Sequence, residues 1–150
     1  MIEPTTPSLA ELFNADETAW LETMAELIAQ GRFGDLDYAN LGEYLTDAVR
    51  RERTEVKSRL TLLIAHLLNW QHQPQSRTAD WHGTIVTQRK ELEDLLGQGV
   101  LRDYAESIRA EAYGHSLKLA AAESGLSVDT YPVVCPYSVE QLLSPELVRE

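Results

Sequence analysis

The sequence predicts an all-α fold: an antiparallel bundle of about four helices with one long central helix and a C-terminal extension carrying a short helix. Three observations point there. Apolar residues recur every three or four positions from Trp20 to Ala122, the period of a helix with one buried face. No proline interrupts the chain between Pro7 and Pro74. No stretch alternates apolar and polar residues as a strand pair does. At 150 residues the chain reads as a single domain, 1–150, long enough to bury a core without disulfides or metals.

Residues 1–13, with Pro4, Pro7 and several Ser and Thr, read as a loose N-terminal arm. Asn14, with Glu17 three residues later, matches a capping box for a first helix. Trp20, Leu21, Met24, Leu27 and Ile28 give it one apolar face, and Gly31 ends it.

Asp37, bracketed by Leu36 and Leu41, starts the second helix as an N-cap inside a hydrophobic staple. Its stripe is Leu41, Leu45, Val49, Glu52, Val56, Leu60, Leu63, Leu67 and Trp70, so one helix runs to about Gln71, some ~50 Å at 1.5 Å per residue. Up to Arg59 it is amphipathic. From Leu60 to Leu68 it is apolar nearly all round, which demands enclosure by other helices.

A third helix runs from about Thr78 to Leu96, before Gly97 and Gly99, and a fourth from Leu101 to about Ser124, before Gly125. Residues 126–150 form the extension. Pro132, Pro136 and Pro145 forbid a long helix there. Ser138 with Gln141 caps a short one, and Ser144-Pro145-Glu146 is a second start signal. Tyr131, Val133, Val134, Tyr137 and Leu142 are apolar enough to pack back onto the bundle.

Composition narrows the function classes. The net charge of −11 argues against general nucleic-acid binding, because phosphate is repelled by such a surface. Met1 to Leu12 lacks the basic start and apolar run of a signal peptide, and Leu60 to Trp70 is too short to span a bilayer, so no membrane partner is expected. The sole cysteine, Cys135, favours a reducing compartment, hence the cytoplasm, and reads as a small packed side chain.

No Gly-rich phosphate loop, paired cysteines, His-Glu-x-x-His or nucleophile elbow is present. The remaining catalytic candidates are Glu52, Arg59 and His66, seven residues apart on one side of the long helix. Arg59 and His66 weakly resemble the Arg-x4–6-His pattern of HEPN-type helical ribonucleases, which implies phosphate positioning by the arginine and acid–base work by the histidine. The plainer reading makes Glu52 and Arg59 ion-pair partners and His66 a core histidine bonded to a neighbouring helix. That spacing occurs in many helices, so the plainer reading carries more weight.

A second group, Trp70, Gln71, His72, Gln73, Arg77, Trp81 and His82, surrounds the next link. Trp70, Gln71, Arg77 and Trp81 are binding candidates there, or else the tryptophans close the bundle end and the polar residues cap helices. A metal enzyme would need His66, His82 or His115 to converge with carboxylates such as Glu52 or Glu111. No metal or other cofactor is expected.

Arg59-Leu60 through Leu63, His66-Leu67-Leu68, Trp70-Gln71, Gln73-Pro74, Arg77 and Trp81 together resemble the "domain of unknown function 29" family. So do Gly31-Arg32-Phe33, Leu36-Asp37, Asn40-Leu41, Gln88-Arg89, Tyr113, Ala121-Ala122-Glu123, Gly125-Leu126 and Cys135-Pro136, covering nearly the whole chain. Val49 stands where the family pattern has glycine, and Thr46 where it has an acid. The resemblance implies a bacterial, helical protein and carries no activity or site residues. The expected function is a non-catalytic helical interaction module whose partner is protein, either another chain or a second copy. The HEPN-like ribonuclease and the metal-binding bundle enzyme are its rivals.

Overall fold

The computed structural model describes residues 7–97 and 99–148, with the side chains of 147 and 148 excepted. Among these residues the chain is all-helical, without strands. Six α-helices follow in order: α1 (Leu9–Ala15), α2 (Glu17–Ala29), α3 (Tyr38–His72), α4 (Ala79–Leu96), α5 (Val100–Ser124) and α6 (Val139–Leu142). Short 3-10 turns lie between α2 and α3 (Phe33–Asp35), between α3 and α4 (Pro74–Ser76) and between α5 and α6 (Val128–Thr130). The chain contains two compact units, Met1–Arg50 and Arg51–Glu150, whose boundary falls inside α3.

In the first unit, the expected loose arm is corrected. Residues 1–6 lie outside the described residues, but Leu9–Ala15 is helical. Ser8 accepts from the Glu11 backbone amide while the Glu11 carboxylate accepts from that of Ser8, a reciprocal cap. The start of α2 also moves. Asp16, not Asn14, is its cap, accepting from the Ala19 amide at 3.1 Å. Asn14 is spent on α1, donating to the Ala10 carbonyl.

Trp20, Met24 and Leu27 on α2 are buried, packed with Leu9, Leu12 and Phe13 from α1 and with Leu36, Leu41 and Tyr44. The Phe13 ring meets Trp20 edge-on at 4.8 Å. The Trp20 indole N–H donates to Asp37 Oδ2 at 3.2 Å. Asp37 also accepts from the Asn40 backbone and side chain, so one carboxylate both caps α3 and anchors the core tryptophan. The Asn40 side-chain bond, with its backbone bond and that of Trp20, holds the carboxyl below the usual carboxylate range.

In the second unit, the α3 stretch that is apolar nearly all round is enclosed, except along one seam. Leu60, Leu63, Ile64, Ala65, Leu67, Leu68, Asn69 and Trp70 are buried, with Thr61, Leu62 and His66 forming a half-buried seam. Ile85, Leu92 and Leu96 of α4 pack on it, as do Ala105, Ala112 and Tyr113 of α5. Apart from Tyr113, the buried residues of α5 are small: Ala105, Ala112, Ser116 and Ala120. The Ser116 hydroxyl lies 3.0 Å from the Thr61 carbonyl of α3 and 2.8 Å from that of Ala112. Gly125 ends α5 at φ 75°, a left-handed conformation that favours glycine.

The extension returns to this core through Tyr131, Tyr137, Val139 and Leu142, all buried. The Ser138/Gln141 box caps α6 as predicted. Val133 and Val134 do not pack back. They are 93% and 75% exposed, because Tyr131 and Tyr137 anchor the segment on either side of them.

Candidate functional site

The row Glu52, Arg59, His66 is present on α3, but the three side chains have separate surroundings. Arg59 Nε donates to Glu55 Oε1 at 2.9 Å and Nη1 to Gln88 Oε1 of α4 at 3.2 Å, with Glu91 3.9 Å from Nη2. The expected Glu52–Arg59 pair is therefore corrected. Seven residues put about 10.5 Å of helix between them, whereas Glu55 stands one turn away. Glu52 is exposed.

His66 is half-buried, and its Nδ1 lies 2.7 Å from the Leu62 carbonyl. The expected bond to a neighbouring helix is replaced by one inside α3. A carbonyl accepts only, so Nδ1 carries the proton and Nε2 is left as the acceptor in the neutral ring. Arg59 and His66 share no bonding partner here.

Among the described residues, no three or more His, Cys, Asp or Glu side chains converge to hold a metal ion. Cys135 is a half-buried free thiol whose Sγ lies 3.4 Å from the Tyr137 carbonyl.

The Trp70 group is a packed corner. Arg77 Nε donates to the Trp70 carbonyl at 2.7 Å, satisfying an end carbonyl of α3, and its guanidinium stacks 4.8 Å over the Trp70 ring. His82 of α4 lies tilted against the same indole at 5.7 Å. Gln71 accepts from the Tyr137 hydroxyl at 2.7 Å, and His72 meets Tyr131 edge-on. Trp81 is partly buried against the core. Burial pushes the Tyr137 hydroxyl well above the usual phenol range, so it stays a donor. These contacts close one end of the second unit and use Gln71 Oε1 and Arg77 Nε internally. The Trp70 Nε1 and Gln73 Nε2 donors are buried without a partner among the described residues.

The feature sequence reasoning missed lies further up α3. Its apolar stripe has Leu45, Val49 and Val56 on nearly one azimuth, with Tyr38 above and Glu52 between. Val56 is fully buried, yet Leu45 is 56% exposed and Val49 48%. Tyr38 and Phe33 are also exposed, the Tyr38 hydroxyl donating to the Phe33 carbonyl. The stripe was legible as a face. Its opening was foreshadowed by the charges Asp47, Arg50, Arg51, Arg53 and Glu55, which crowd this half of the helix and not the half beyond Leu60.

No helix among the described residues is long and apolar enough to cross a membrane. A family model described as "Domain of unknown function DUF29" matches residues 12–148. No curated protein and no solved structure matches the chain.

Proposed function

We propose that this chain, which belongs to the domain of unknown function DUF29 family, is a helical protein-interaction module that docks a partner on the upper face of α3. One observation carries the reading: the apolar stripe that is covered at Val56 lies open at Leu45 and Val49. An apolar helix face loses free energy by staying in water, about 25 cal/mol per Å². A partner helix with apolar residues at three- and four-residue spacing would remove it from water. The half-buried lone thiol Cys135 supports a reducing compartment, the cytoplasm, as the place of action.

Site-specific photo-crosslinking in the native host tests this. A photoreactive side chain at Leu45 is expected to yield a discrete protein adduct that one at the exposed Lys118 of α5 does not yield. Identical adducts from both positions, or none from Leu45, would overturn the proposal.

A further inference from the structure

The two units have cores of very different depth. Among the described residues, nineteen apolar side chains are buried in the core of the second unit, whereas the first buries only Trp20, Met24 and Leu27. Helix α1 contributes no buried residue, and α3 contributes none before Val56. A unit of this size with so small a core is marginally stable alone. Its pieces also hold one another. Asp37 accepts from both the Trp20 indole and Asn40, so the cap of α3 is also the anchor of α2. Leu41 and Tyr44 of α3 pack on the Trp20 cluster, the Tyr44 ring tilted against Trp20 at 6.0 Å. Loss of α2 therefore strips packing from a stretch of α3 short enough to be marginal as an isolated helix. Further along, the hold changes. Arg53 stacks 5.3 Å over the Tyr104 ring of α5, and Val56 is fully buried.

We infer that α1, α2 and the first half of α3 form one order–disorder element, which opens and closes while residues 51–150 stay folded. On opening, Trp20, Met24 and Leu27 leave their core, and α3 frays back as far as the turn that holds Arg53 and Val56. The closed form hides an apolar surface that the open form presents. Anything that binds one form better than the other shifts the balance between them, which makes the element a switch built into the fold. What docks at Leu45 and Val49 plays no part in this inference.

Native-state hydrogen exchange of the full chain, read by mass spectrometry over a series of low urea concentrations, tests this. The amides of residues 20–29 and 42–50 are expected to exchange through one shared opening, at least about a hundredfold faster than those of residues 60–70. Trp20→Phe keeps an aromatic ring but loses the indole bond to Asp37. It is expected to speed exchange in both upper segments at least about threefold and to leave residues 60–70 unchanged. Trp20→Ala, which empties the small core, is expected to abolish protection in both upper segments while residues 60–70 stay protected. Separate openings for 20–29 and 42–50 would show that α2 and the start of α3 do not act as one element, and overturn the inference. Comparable exchange throughout residues 20–70, or loss of protection at 60–70 in either variant, would show that the chain opens as a single body and overturn it too. Exchange in the upper segments that ignores both variants would overturn it as well, because the Trp20 core would then hold nothing shut.

Discussion

The Tyr131 hydroxyl donates to the Asn69 side-chain oxygen across 2.7 Å, 62 residues apart in the chain and both buried. Asn69 passes the link on, donating from Nδ2 to the Ala120 carbonyl of α5 at 3.2 Å. One buried amide thus ties the enclosed half of α3 to α5 and to the extension. Tyr131→Phe keeps the ring but leaves the Asn69 oxygen unpaired. A loss of about 1–3 kcal/mol in urea unfolding is expected, and an unchanged midpoint would contradict this role.

Asp37 makes the first unit sensitive to acid. Its carboxyl is held below the ordinary value of 3.8, so the unfolded chain takes up its proton first as pH falls. The charged form's stabilisation is therefore complete above that value and fades as pH drops through the lower folded one. Asp37→Asn keeps a good helix cap without the charge. The native chain is expected to be the more stable of the two at pH 5, and the gap to close near pH 2. A gap independent of pH would show that the charge at Asp37 has no part in it. Asp37→Ala, which removes the cap, should cost about 0.5–2 kcal/mol.

Ser116 marks a close approach of α5 to the Thr61 turn of α3, and it is fully buried. Ser116→Leu adds volume that a packed interior cannot absorb without shifting α5. It should destabilise by about 1–3 kcal/mol, while Ser116→Ala loses only hydrogen bonding and should cost about 1 kcal/mol. Equal effects of the two changes, by urea unfolding, would mean that the helices are not close there.

The parts of the fold legible in the sequence are those written in local signals. Asp37, Thr78, Gly97, Gly125 and the Ser138/Gln141 box act on backbone within four residues, and all lie where predicted. The α1 helix was hidden by Pro7 and the Ser/Thr-rich start, although its own Ser8/Glu11 box was there to be read. The ion pairing of Arg59 was misjudged because a shared helix side does not bring residues two turns apart within reach.

The candidate site was legible only as an apolar period. Helical spacing places Leu45 on the same face as Val56 and Leu63, but it cannot say which turns another element covers. Asn69 was opaque for a related reason: its partners lie 51 and 62 residues away.

Urea unfolding of Leu45→Ser/Val49→Ser beside Leu63→Ala tests the central claim most directly. Removing a fully buried leucine should cost about 2–5 kcal/mol. If the upper face of α3 is spare in the free chain, the double variant should stay within about 0.5 kcal/mol of the native protein. A loss in the double variant comparable to that of Leu63→Ala would mean that Leu45 and Val49 belong to the protein's own core, with no face left for a partner.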